Sequence, residues 1–269
     1  AERFRDRRCF LLGDAAHVHS PAGAQGMNTG LQDAYNLGWK LALVVPGRAD
    51  ATLLDSYEQE RMPVARQLLR TTDRAFQLVV SDSWIAGLFR TRIMARVVAR
   101  AITIERVRQL AFRTLSQIGI RYPASPLSQT QEGWPKDAPM AGDRFPWLQL
   151  ELQAGATAAD LFENLDDTCF HLLVFGQPGP PEDAFDDLGI RVRSLVIPVT
   201  VGNERALADV RIPAPAFYFL RPDGHVGLCG ARLEIADIRR YGLERLRLDA
   251  QSGRSKGPAG SESVGRPAG

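Results

Sequence analysis

At 269 residues the chain has enough length for one large or two ordinary domains. Hydrophobic residues make up 45% and charged residues 24%, the balance of a soluble globular protein. The net charge of +2 gives no argument for nucleic acid or an acidic membrane surface as a partner. Apolar runs stay well short of the roughly 20 residues a membrane-spanning helix needs, and no signal-peptide pattern opens the chain. Cys9, Cys169 and Cys229 are widely separated singletons. They offer neither a disulfide framework nor a C-x-x-C pair, which points to the reducing cytoplasm.

The chain begins Ala1-Glu2-Arg3-Phe4, directly before an apolar run of strand type, Cys9-Phe10-Leu11-Leu12. That beginning reads as a fragment or a truncated gene. The run ends in Gly13-Asp14-Ala15-Ala16-His17. A glycine-rich stretch follows, Pro21-Ala22-Gly23-Ala24-Gln25-Gly26-Met27-Asn28-Thr29-Gly30, and then an amphipathic segment over 31–45. Strand, acid at its carboxyl end, glycine-rich turn and helix start is the order that builds a nucleotide-cofactor site, because ligands sit beyond the carboxyl ends of strands in open α/β sheets. Asp14 would accept hydrogen bonds from ligand hydroxyls. Gly23, Gly26 and Gly30 would let backbone N–H groups approach a planar ring. Asn28 or Thr29 would cap the helix, whose N-terminus presents partial positive charge. Its expected core face is Leu31, Ala34, Tyr35, Gly38, Leu41, Ala42 and Val45, with Gly38 marking close packing and Pro46-Gly47 the end. The bland alternative is an ordinary strand–loop–helix connection in which the glycines only make turns. Spacing alone leaves both open.

The stretch from Gly13 to Val45 resembles the second FAD-binding motif of the single-component flavoprotein aromatic hydroxylases, the class of phenol and p-hydroxybenzoate hydroxylases. The resemblance implies that Asp14, with Gly13, binds the ribitol of FAD and that Pro21 lies beside the flavin ring. It implies too that the backbone at Gly26, Met27 and Asn28 contacts the pyrimidine end of the isoalloxazine. Leu53 to Ala65 looks like the family's Y-E-x-E-R-x-P-V-A helix, in which Glu58 and Arg61 are spaced to pair on one face.

Arg90 to Ile120 is helical in pattern, with an apolar stripe and many arginines that read as a solvated face. Tyr122 to Gly142, rich in proline and glycine, reads as a linker. Gly142-Asp143-Arg144-Phe145-Pro146 then resembles the opening of the C-terminal, thioredoxin-like domain of phenol-hydroxylase-like enzymes. Its expected elements are a short helix over Ala158 to Leu165, strands over Phe170 to Phe175, Val192 to Val199 and Ala216 to Leu220, a hairpin turn at Arg221-Pro222-Asp223-Gly224, and a helix over Glu234 to Leu246. Pro215 sits where such folds often place a cis-proline. Gln251 to Gly269 cannot bury enough apolar surface to order itself. His17-Val18-His19 lacks further ligands for a metal site, His225 has no nucleophile beside it, and Cys169 has no partner for disulfide exchange.

The expected fold class is therefore α/β. The distal part of a Rossmann-like FAD-binding domain with following helices (1–121) precedes a linker (122–141). A thioredoxin-like domain (142–250) and a disordered tail (251–269) follow. The expected function is an FAD-dependent monooxygenase acting on an aromatic, phenolic or polyketide-like, substrate with NADPH or NADH and O2. Neither metal, nucleic acid nor membrane takes part, and a homodimer is admitted. Because the G-x-G-x-x-G half is missing from these residues, the chain alone is expected to bind FAD weakly or not at all and not to turn over. The competing reading is a non-catalytic, truncated relative serving as a dimerisation or binding module.

Overall fold

The structure is a computed structural model. It describes residues 1–18, 26–80, 100, 103–105, 107–108 and 116–249, with the backbone alone over 71–80. Pro21, most of the expected 90–120 helices and the 251–269 tail therefore lie outside the described residues.

The apolar run forms a strand of only two residues. β1 (Arg5–Asp6) pairs antiparallel with β2 (Cys9–Phe10), and Leu11 and Leu12 beyond it are 40% and 38% exposed. A four-residue helix, α1 (Asp14–His17), comes next, and then α2 (Gly26–Val44). After a 3-10 turn at Ala51–Leu54, α3 (Asp55–Val80) carries Pro63 inside it.

The face that α2 buries differs from the expected one. Leu31, Tyr35 and Val45 are more than half exposed, and a Cβ at Gly38 would meet nothing within 4 Å. The buried set is Thr29, Asp33, Asn36, Leu37, Trp39, Lys40 and Leu43. Hydrophobic periodicity misplaces this helix because four of its seven buried residues are polar, held inside by ion pairs at Asp33 and Lys40 and hydrogen bonds at Thr29 and Asn36 that a sequence pattern does not reveal.

The C-terminal half is a five-stranded sheet in the order β3 (Gln129–Thr130), β9 (Val226–Gly230), β8 (Ala216–Leu220), β6 (Phe170–Phe175), β7 (Val192–Ile197). β6 runs parallel to β7, β8 antiparallel to both β6 and β9, and β3 parallel to β9. The parallel β6–β7 crossover holds a 3-10 turn (Asp186–Leu188) where such crossovers usually carry an α-helix. Helices α4 (Val201–Asp209) and α5 (Ile235–Glu244) follow β7 and β9. The Ala214–Pro215 bond before β8 is cis. Over 158–165 the expected helix is replaced by the two-residue strand β5 (Ala159–Asp160), paired with β4 (Gln149–Leu150), and a 3-10 turn over Phe162–Asn164. There Asp160 accepts a hydrogen bond from the Phe162 N–H (2.8 Å), an Asx-type turn that competes with helix formation.

Every residue of β6, β8 and β9 is buried, which is why their sequences read as continuous apolar runs rather than as alternation. One sheet face, with Leu173, Phe175 and Tyr218, packs on Phe145, Leu148, Leu161 and Leu207. The other presents Phe170, Leu172, Val174, Phe217 and Phe219 to α5, and in the same cluster to Trp39, Leu43 and Leu53. Trp39 meets Phe170 edge-on, ring centroids 5.7 Å apart, and Phe170 stacks on Phe219 at 5.4 Å. The flavin-motif helices and the C-terminal sheet thus share a core. Segment 122–141, expected as a linker, contributes β3 and the buried Tyr122, Leu127 and Ala138.

Candidate flavin site and its buried supports

Gly13 has φ +57°, a conformation open to glycine and strained for other residues. It packs against Gly30 of α2, where an added Cβ would lie 3.2 Å from the Gly13 Cα. This contact brings the turn after β2 against the first turns of α2. Asp14 opens α1 with its side chain exposed. Gly26, Met27 and Asn28 are the first described residues of α2, and Met27 is 77% exposed. Asn28 and Thr29 lie inside the helix rather than at its cap. The contact of two glycines, the exposed Asp14 carboxylate and the start of α2 make these residues a candidate flavin site. The Gly13–Gly30 contact joins the two parts of the motif, and Pro21 falls outside the described residues.

Behind this surface lies a buried cluster that sequence reasoning missed. Asp33, fully buried, accepts from the Gly13 N–H (2.9 Å) and pairs with His17 Nε2 (2.6 Å) and Arg61 Nε (2.6 Å). Arg61 also donates to the Tyr122 hydroxyl (2.8 Å) and the Thr29 carbonyl (3.1 Å). Burial pushes the Asp33 carboxyl upward, but the His17 hydrogen bond, the Arg61 charge and the Gly13 N–H outweigh it and hold the pKa below the usual value. Asp33 stays ionised and fixes the Gly13 turn to α2. Expected to face Glu58 across a helix turn, Arg61 crosses to α2 instead. Glu58 accepts the Phe4 and Arg5 N–H groups (2.6 and 3.0 Å).

A second cluster joins α2 and α3 to the β8–β9 hairpin. Glu60 Oε1 accepts from Arg221 Nη1 (2.6 Å) and Ser125 Oγ (2.6 Å). Its Oε2 accepts from Lys40 Nζ (2.8 Å), Asn36 Nδ2 (2.6 Å) and Arg221 Nη2 (3.1 Å). Asp223 accepts from Arg221 Nε (3.0 Å) and Trp39 Nε1 (3.1 Å). Two cations and two carboxylates, all buried, balance one another. Burial brings the Lys40 ammonium down to about 8 against the pull of Glu60. The cations overcome the cost of burial at Glu60 and Asp223 and hold both carboxyls below the ordinary range. The Y-E-x-E-R signal thus acts residue by residue: Tyr57 donates to the Leu11 carbonyl (2.7 Å), Glu58 holds β1, Glu60 the hairpin, and Arg61 the flavin turn.

Residues 1–72 match the family model described as FAD binding domain. The chain is 34% identical to the 6-methylpretetramide 4-monooxygenase of Streptomyces rimosus, an alignment covering 98% of this chain and 48% of that protein. The chain belongs to the single-component FAD-dependent aromatic hydroxylases. Another member, an uncharacterized aromatic compound monooxygenase, YhjG, of Bacillus subtilis, is 37% identical over 84% of this chain and 40% of its own length. The solved anhydrotetracycline hydroxylase OxyS of Streptomyces rimosus superposes with a TM-score of 0.62 at 31% identity, covering 84% of this chain and 41% of that one. The chain spans about half the length of the curated relatives it matches.

Proposed function

We propose that this chain supplies the flavin-ring half of an FAD-dependent monooxygenase that hydroxylates an aromatic, phenolic or polyketide-like, substrate with NADPH or NADH and O2. The Gly13–Gly30 contact carries the reading, because it brings the turn bearing the exposed Asp14 carboxylate against the start of α2. FAD, when bound, supplies the electron and oxygen transfer. Asp14 accepts hydrogen bonds from ribitol hydroxyls. The N–H groups at Gly26, Met27 and Asn28, with the α2 dipole behind them, favour negative charge at the pyrimidine edge of the ring. Asp33, with His17 and Arg61, is a positioning group that acts through the Gly13 turn.

The C-terminal half is read as a thioredoxin-like domain without redox chemistry. Its core strand order β9-β8-β6-β7, with β6 and β7 parallel and the others antiparallel, supports that reading. Cys169 and Cys229 are both buried, and burial pushes the Cys229 thiol up to about 11, so it stays protonated. A cytoplasmic location and a homodimer complete the proposal. The test is NADPH or NADH oxidation by the protein that unites this half-site with a dinucleotide-gripping half, across phenols and polyketide aromatics. Oxidation stimulated by one class, with a hydroxylated product, supports the reading; oxidation that no aromatic stimulates overturns it.

A further inference from the structure

Two side chains from well outside the flavin motif reach it from behind. The Gly13 N–H is held by Asp33 (2.9 Å), and Asp33 in turn by Arg61 Nε (2.6 Å). The other two nitrogens of Arg61 are also used. Nη2 donates to the Thr29 carbonyl (3.1 Å) and Nη1 to the Tyr122 hydroxyl (2.8 Å). A guanidinium is a planar, rigid fork, and this one is fully buried. The direction of Nε toward Asp33 therefore depends on where Nη1 and Nη2 are held. The Thr29 hydroxyl meets the amide of Gln117, 2.6 Å from Nε2.

Tyr122 is itself placed by the C-terminal half. Its N–H donates to the Gly142 carbonyl (2.8 Å), and its carbonyl accepts from Ser128 Oγ (2.8 Å). Its ring lies against His225 of the β8–β9 hairpin, centroids 4.4 Å apart, with the Arg221 guanidinium 5.5 Å from the ring centre. Burial pushes the Tyr122 hydroxyl up to about 12, so it meets Arg61 as a neutral group. Gln117 and Tyr122 are both buried, and both lie beyond residues 1–72, the stretch that matches the FAD binding domain.

We infer that Tyr122 and Gln117 are positioning residues of the flavin site, through which the C-terminal half sets the geometry of the motif. Tyr122 fixes the plane of Arg61, and with it the Asp33 carboxylate that holds the Gly13 turn. Gln117 fixes Thr29, the neighbour of Gly30, on which Gly13 packs. The inference rests on the flavin reading for what the turn binds; the hold on the turn is a property of the chain itself.

Tyr122→Phe tests it, since the ring keeps its contacts with His225 and Arg221 and only the hydroxyl is lost. Tyr241→Phe is the control: it also removes a buried hydroxyl bond, to the Leu127 carbonyl (2.7 Å), elsewhere in the C-terminal core. Two measurements on the whole chain are needed. One is exchange of the Gly13 amide relative to the β6 amides, which corrects for global stability; the other is a fluorescence titration with riboflavin. Tyr122→Phe should speed relative Gly13 exchange and weaken riboflavin, each about tenfold, while Tyr241→Phe changes neither. Gln117→Leu, which leaves Asp33 and Arg61 their bonds, should also weaken riboflavin. Relative Gly13 exchange that Tyr122→Phe leaves unchanged, or that Tyr241→Phe speeds equally, overturns the inference. So does riboflavin affinity unchanged by both Tyr122→Phe and Gln117→Leu. A wild-type chain that binds no riboflavin refutes the flavin reading instead, and Gly13 exchange then decides by itself whether Tyr122 fixes the turn.

Discussion

Glu60 shows what one residue does in this protein. Its carboxylate accepts five hydrogen bonds, two of them from Arg221, and draws on α2, the 122–127 segment and the β8–β9 hairpin. Removing one partner of a buried ion pair leaves an uncompensated charge, at about 3–5 kcal/mol. Glu60→Gln, which keeps the shape but strands Lys40 and leaves Arg221 with Asp223 alone, should lower unfolding stability in denaturant by that order. A loss below about 1 kcal/mol would mean that water reaches the cluster. His171 gives a pH prediction. Its Nε2 accepts the Asp166 N–H (3.1 Å), and burial with the nearby Arg193 charge brings its pKa down to about 4 from 6.5. The unfolded chain therefore takes up this proton first as pH falls. The stability held by neutral His171 is complete above pH 6.5 and is lost between about 6.5 and 4. The depressed carboxyls of Asp33, Glu60 and Asp223 act below that window, so His171→Gln should flatten the stability profile between pH 6.5 and 4 and leave the steeper acid limb intact. These charges were also the hardest to read from sequence. Asp33, Asn36 and Lys40 look like the solvated face of an amphipathic helix, and only their partners elsewhere in the chain, 16 to 187 residues away, make them core.

At the scale of elements, legibility followed burial geometry. β6 and β8 were recoverable because strands buried on both faces give unbroken apolar runs, and β7 because its flanks carry turn residues. The expected helix over 158–165 failed on an Asx turn at Asp160, a local competition that periodicity ignores. β3 was hidden in a proline-rich stretch because two residues carry no period; the register with Leu228 and Cys229 defines it. Gly142 joins this stretch to the sheet. It has φ +89°, and a Cβ there would sit 2.4 Å from the Tyr122 carbonyl oxygen, which is backbone and cannot yield cheaply. Its N–H donates to the Val226 carbonyl (2.8 Å) and its carbonyl accepts from the Tyr122 N–H (2.8 Å). Gly142→Ala should therefore cost more than the roughly 1 kcal/mol of an average substitution and free the 122–130 amides to exchange faster with solvent. Unchanged exchange there would show that the turn tolerates a side chain.

For the molecule as a whole, the shared core of Trp39, Leu43, Phe170 and Phe219 and the Glu60–Arg221 cluster make the motif helices and the C-terminal sheet one cooperative body. Thermal unfolding followed at the tryptophans and by backbone dichroism should give coincident transitions; two separated transitions would mean that the halves melt independently. The body holds the Gly13 turn, Asp14 and the described start of α2 together, the arrangement we propose as part of a flavin site. Gly13, Asp14 and the start of α2 were singled out from sequence, while the buried partners around Asp33 and Glu60 were not. The most direct test is a fluorescence titration of the chain with riboflavin and with FAD, repeated for Asp14→Ala. If the chain grips the ring and ribitol but not the pyrophosphate, both flavins bind weakly and within about threefold of each other, and Asp14→Ala weakens both about tenfold. Binding of FAD far tighter than riboflavin, or affinities unchanged by Asp14→Ala, would contradict the account.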